Sequence, residues 1–165
     1  MKASKIALYA LMTALVAVST IAIRIPIPAT GGYFNLGETM VYISAILFGA
    51  RVGGFAGGVG SSLADLYGFP VFAPITLFVK GIEGFVVGRL SYGRESLVIL
   101  IISCLAGGVL MVLGYFLAES LMYGIPVALE EVPFNIIQMI SGTIISIPTV
   151  KALKKVPQIQ GFRKP

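Results

Sequence analysis

Residues Pro74–Leu90 read PITLFVKGIEGFVVGRL, a run apolar enough to cross a membrane that still holds Lys80 and Glu83 in its interior. At 1.5 Å of rise per helical residue, Lys80 lies about 9 Å in from Pro74. An ionisable side chain at that depth is costly against lipid, so it must face protein or water. The rest of the chain therefore has to wall this helix in. Three positions apart, Lys80 and Glu83 fall on neighbouring sides of one helix face and are placed to pair. Two roles fit such a pair: an internal lock on helix packing, or part of a pocket for a solute.

Working outward, the whole chain has the same character. Its 165 residues are 57% hydrophobic and 12% charged, with a mean hydropathy of +0.97. A soluble domain carries roughly 25% charged residues, so the sequence reads as an all-α integral membrane protein. At about 20 residues per crossing, the length suits a single bundle of six transmembrane helices with short loops. There is no His and no Trp, and Cys104 is the only cysteine. Imidazole catalysis, thiolate metal clusters and internal disulfides are excluded, and Cys104, inside an apolar run, reads as a packing residue. No cofactor and no metal is expected. The sequence lacks GxxxxGK[ST], HExxH and GxSxG, so Walker-type ATP hydrolysis and the common hydrolase chemistries have no footing.

The spans are expected at about residues 5–23, 36–48, 52–67, 74–90, 96–123 and 133–153. The first apolar run follows Lys2 and Lys5 as a signal peptide would. It is too long for an h-region and leads into Ile23-Arg24-Ile25-Pro26, so it reads as a retained span. It carries Ala3, Ala7, Ala10, Ala14 and Ala17, a small-residue stripe that lets another helix approach closely, whether in this chain or in a partner. RIPIPATGGYFN, residues 24–35, is a loop. Asn35 followed by Glu38 has capping-box spacing at the head of span two. Span three, VGGFAGGVGSSLADLY, has GxxxG spacings at Gly53/Gly57 and Gly54/Gly58 that permit backbone contact between helices. Asp65 near its end reads as a solvated interfacial carboxylate. Gly124–Val132 reads as an acidic loop with Glu130 and Glu131. Span six then presents Asn135, Gln138 and Gly142 as a polar stripe, with a kink expected at Pro148.

The basic residues orient the bundle. With both termini cytoplasmic, ten of the twelve lie inside: Lys2, Lys5, Arg51, Arg89, Arg94, Lys151, Lys154, Lys155, Arg163 and Lys164. The net charge of +5 is thus a matter of topology, not of nucleic-acid binding. Polar residues converge on the outer halves of the spans: Lys80 and Glu83 on four, Tyr115 and Glu119 on five, Asn135 and Gln138 on six. The loop bearing Tyr33 and Asn35 opens to the same side. Apolar walls with a few placed polar groups describe a small-molecule site.

Several stretches together resemble one family. They are Tyr33-Phe34-Asn35-Leu36-Gly37-Glu38, Leu47-Phe48-Gly49-Ala50, Gly57-Gly58-Val59-Gly60-Ser61-Ser62-Leu63-Ala64-Asp65-Leu66, Ala73-Pro74-Ile75-Thr76 and Lys80-Gly81-Ile82-Glu83-Gly84. The chain resembles the substrate-binding S component of energy-coupling factor (ECF) transporters, over almost its whole length. The resemblance implies a six-helix protein of a prokaryotic plasma membrane that captures a vitamin or its precursor from outside. It implies partners as well: a transmembrane coupling subunit and two ATPases. In that family an AxxxA pattern on the first helix docks the coupling subunit, and Ala3, Ala7, Ala10 and Ala14 match it. The pocket it implies lies under the loop after span one and against spans four to six, where Tyr33, Asn35, Lys80, Glu83, Tyr115, Glu119, Asn135 and Gln138 fall. The subgroup is closest in look to that for hydroxymethylpyrimidine or pyridoxine, with folate, pantothenate and riboflavin as alternatives. Without Trp, ring stacking would fall to Tyr33, Phe34 and Tyr115.

Two other functions remain for comparison. An intramembrane enzyme acting through Lys80, Glu83 and Asp65 would need a nucleophile or metal set, and none is visible. A scaffold built on glycine faces would leave Lys80 and the span-six amides unexplained.

Overall fold

The computed structural model describes residues 3–26, 33–157, 159 and 161. Six helices account for nearly all of them: α1 Ala3–Ala22, α2 Gly37–Phe48, α3 Ala50–Gly68, α4 Ala73–Ser91, α5 Leu97–Tyr123 and α6 Ile125–Leu153. Among the described residues, α1, α5 and α6 are long and apolar enough to cross a membrane. The connection between α1 and α2 holds two short strands, β1 Arg24–Pro26 and β2 Tyr33–Asn35. They pair antiparallel, Arg24 opposite Asn35 and Pro26 opposite Tyr33. Pro26 is tolerated because a two-stranded ribbon is all edge. The tip of the expected loop, residues 27–32, lies outside the described residues, as does the far end of the basic tail.

The centre of the bundle is α2. Ten of its twelve residues are buried, and Val41, Tyr42, Ile46 and Leu47 meet Val16 of α1, Val87 of α4, Leu100 and Cys104 of α5, and Ile147 of α6. A helix wrapped on all sides needs no lipid-facing surface, which suits so short an element. Cys104 is buried there as a free thiol, as a packing residue should be. The outer surfaces of the long helices expose Val98, Ile102, Leu117 and Leu121 instead.

The glycine face of α3 does what its spacing indicates. A Cβ on Gly57 would stand 2.8 Å from the Lys80 carbonyl, one on Gly58 2.6 Å from the Leu77 carbonyl, and one on Gly60 2.7 Å from the Thr13 carbonyl. Backbone therefore packs on backbone along α4 and across to α1.

The last helix corrects the sequence reading. Gly124–Val132 is not a loop: α6 starts at Ile125 and runs unbroken through both Pro133 and Pro148. Gly124, at φ 90°, makes the turn from α5 in one residue. Pro126 then occupies the first turn, where a missing N–H costs nothing. Pro133 had looked like a helix start for the same reason, yet it sits two turns inside. Glu130 and Glu131 are thus helical, and Glu131 is buried.

Candidate small-molecule site

Lys80 is buried on the inner side of α4, and two carboxylates close on it. Glu83, one turn along, places Oε2 3.0 Å from the Lys80 ammonium. Glu38, from the first turn of α2, pairs with the same ammonium. The capping-box role expected for Glu38 is not what forms. The α2 N-cap is Leu36, which makes no side-chain cap bond. The Asn35 amide oxygen instead accepts the Gly37 N–H at 2.8 Å. Both the backbone N–H of Asn35 and its side-chain amide donate to Gln138 Oε1, at 3.0 and 3.1 Å. With the helix start served by Asn35, Glu38 is free to turn inward. Gly142 leaves it room, since a Cβ there would lie 2.6 Å from Glu38 Cγ. Gln138 Nε2 lies 3.4 Å from Glu38 Oε2, and the Tyr42 hydroxyl donates to Glu83 Oε1 at 3.2 Å. One buried network therefore ties β2, α2, α4 and α6 together around Lys80.

Above this network is a cavity with about 470 Å³ of empty space, part of it continuous with solvent. The cavity sits at the end of the bundle where α1, α3 and α5 finish and α4 and α6 begin. Six of the eight expected site residues line it: Asn35, Lys80, Tyr115, Glu119, Asn135 and Gln138. Glu83 does not; it stands behind Lys80 and against Tyr42. Tyr33 belongs to β2, but its side chain is outside the described residues.

The sequence reading missed several lining groups. Thr76 shares a 3.0 Å hydrogen bond with the Tyr115 hydroxyl. Asp65, read as solvated, is buried and lines the cavity with Ser61 one turn before it. The aromatic walls are Phe69, Phe72 and Tyr115, with Phe34 not among them. Glu131 is the most informative omission. Glu131, Asn135 and Gln138 recur at i, i+4 and i+7, so the polar stripe of α6 extends one turn further than the sequence reading took it.

On α1 the buried face is Met12, Thr13, Val16 and Thr20. Ala3, Ala7, Ala10 and Ala14 are exposed.

A cavity of converging hydrogen-bonding groups, enclosed by apolar helices that expose their flanks, defines a small-solute-binding membrane protein. The family model for the ECF-type riboflavin transporter S component matches residues 1–155, and the chain belongs to this family of ECF-transporter S components. A Pyrococcus woesei protein, described only as lying in the 3′ region of gap, is 46% identical over 140 residues, 85% of this chain and 95% of that protein. The thiamine precursor transporter HmpT of Lactococcus lactis subsp. cremoris (strain MG1363) is 30% identical over 162 residues, 97% and 93% of the two chains. Two solved structures share the fold. FolT bound with folic acid has a TM-score of 0.65 at 23% identity, covering 100% of this chain and 98% of that one. The S component of a bacterial ECF transporter has a TM-score of 0.70 at 18% identity, covering 94% and 98%. The chain is therefore a vitamin-binding S component.

Proposed function

We propose that this S component takes a small ring-shaped vitamin precursor of the hydroxymethylpyrimidine or pyridoxine type and is not itself an enzyme. The observation that carries this reading is the cavity: hydrogen-bonding groups from five helices and β2 line it, with aromatic side chains set to hold a ring. The 30% identical relative, named as a thiamine precursor transporter, supports the same ligand class. Riboflavin is the second reading, favoured by the description of the matching family.

In this proposal all six helices span a prokaryotic plasma membrane with both termini cytoplasmic, as the Lys and Arg distribution requires. The cavity then opens outward. Lys80, Asn35, Tyr115, Glu119, Asn135 and Gln138 contact the solute, Glu83 holds Lys80, and Tyr33 belongs to the loop above. A transmembrane coupling subunit and two ATPases supply the power stroke, docking on the exposed stripe Ala3, Ala7, Ala10 and Ala14.

Mass spectrometry of small molecules that co-purify with the detergent-solubilised protein tests the ligand class. A pyrimidine or pyridine is expected; recovery of a flavin turns the assignment to riboflavin. The docking face has its own test. Ala10→Leu and Ala14→Leu are expected to abolish uptake and complex assembly while leaving ligand affinity within about threefold, because bulk on the stripe blocks helix approach far from the cavity. Collapse of affinity with assembly intact would make the stripe part of internal packing.

A further inference from the structure

Within the cavity, Glu119 of α5 and Glu131 of α6 lie side by side. They are 1% and 5% exposed and stand within hydrogen-bonding reach of each other, and Oε2 of each has no other partner. No cation among the described residues reaches either of them. Lys80 stands between Glu38 and Glu83, and Arg24 donates to the Ala64 carbonyl at 2.6 Å, beside Asp65 in the chain. An independent sign comes from Asn135, one turn beyond Glu131. It is 8% exposed, lines the same cavity, and its amide makes no hydrogen bond among the described residues. Buried carboxylates and amides are normally satisfied, so three together that are not mark groups waiting for a partner. Two adjacent carboxyl groups hold one negative charge comfortably by sharing a proton, and a partner with positive charge or several N–H donors lets both accept.

Resting on the S-component reading, we propose that Glu119 and Glu131 read the amidine edge of the ligand, selecting a protonated aminopyrimidine-type ring. Such an edge presents an exocyclic NH₂ beside a ring N–H⁺. That is the same fork with which a guanidinium meets a carboxylate by two parallel hydrogen bonds. One carboxylate takes the fork, the second neutralises the remaining charge, and the Asn135 amide serves a further ring nitrogen or hydroxyl. The ring itself lies against Phe72 and Tyr115. A lactam edge keeps one ring N–H but sets a carbonyl oxygen against the carboxylates where the amino group would donate, and a dianionic ligand would add repulsion.

The test is calorimetric titration of the detergent-solubilised wild-type chain with four probes. These are 4-amino-5-hydroxymethyl-2-methylpyrimidine, its 4-oxo counterpart, riboflavin and folic acid. The same titrations follow on Glu119→Gln, Glu131→Gln and the double variant, each with a melting curve. Wild type is expected to prefer the amino ring to the oxo ring by at least about 100-fold, since the oxo ring replaces the amino donor with an acceptor and carries no positive charge. Each Gln variant should lose about 10-fold or more for the amino ring and little for the oxo ring. Equal affinity for the two rings overturns the inference on wild type alone, whether or not the variants fold. A preference that survives in the double variant overturns it too. Preference for riboflavin or folic acid overturns the inference but leaves the S-component reading standing. Binding of none of the four probes, with no small molecule co-purifying, overturns both.

Discussion

At Lys80 two carboxylates close on one ammonium; at Glu119 and Glu131 two carboxyl groups stand together in the cavity wall with no cation among the described residues. Both clusters are buried, both line or underlie the same cavity, and both are assembled from two helices. The first has its counter-charge built in: Tyr42 takes the Glu83 oxygen that Lys80 leaves, and Gln138 shares Glu38 Oε2 with Lys80. The second is unfinished. Burial of charge is tolerated where the partner is built in, and a protein that leaves charge unpartnered in a cavity has reserved the partner's place for something else. On the proposals above, the trio at the floor holds the fold while presenting Lys80 to the solute, and the far wall reads the ligand's charge.

The largest effect that would break this contrast is at the floor. Lys80→Met strands Glu38 and Glu83 next to one another without a counter-charge. The expected cost is about 3–5 kcal/mol of stability, read as a lowered melting temperature in detergent. Replacing all three charges together, Lys80→Met with Glu38→Gln and Glu83→Gln, should recover most of that loss, because nothing charged remains to be paired. If the single variant melts like wild type, the trio is not what holds α2 against α4.

Much of this arrangement was readable in the sequence. The Lys80–Glu83 pair follows from helical spacing, and so does the glycine face of α3 on which α4 rests. Asn135 and Gln138 showed as a stripe because amides are rare on an apolar helix. The misses share a cause: a local signal that had a second, longer-range use. Asn35 and Glu38 have capping-box spacing, but Asn35 serves the helix start alone and Glu38 goes to Lys80, 42 positions away. Pro133 looks like a helix start, so Glu131 was cut from the stripe it heads. Pairing across such distances depends on tertiary packing, which no window of adjacent residues contains.

At the far wall the loss should disappear or reverse. In the ligand-free protein, Glu119→Gln relieves the like-charge crowding of two carboxyl groups that share a proton and should leave stability unchanged or raise it by up to about 1 kcal/mol. The measurement is a melting curve without added solute after exhaustive dialysis, set beside Lys80→Met. A marked drop in melting temperature would mean that the pair is a structural tie and that the contrast between floor and wall is false.

The smallest expected effect calibrates the other two. Lys154, just past the end of α6, pairs with Glu95, before the start of α5, at 2.8 Å. The distance is that of a good ion pair, and the residue types are those of the floor. The surroundings differ, for the Glu95 side chain is 74% exposed. Water therefore solvates the carboxylate almost as well without the lysine, and dissolved salt screens what attraction remains. Lys154 also donates to the Arg94 carbonyl at 3.0 Å, a bond that survives loss of the carboxylate. Glu95→Gln should accordingly cost less than about 0.5 kcal/mol, and added salt should shrink even that. The variant is measured by the same melting curve, at low and at high ionic strength. Should it cost as much as Lys80→Met, burial would not be what separates the clusters, and the difference between floor and wall would have to come from geometry alone.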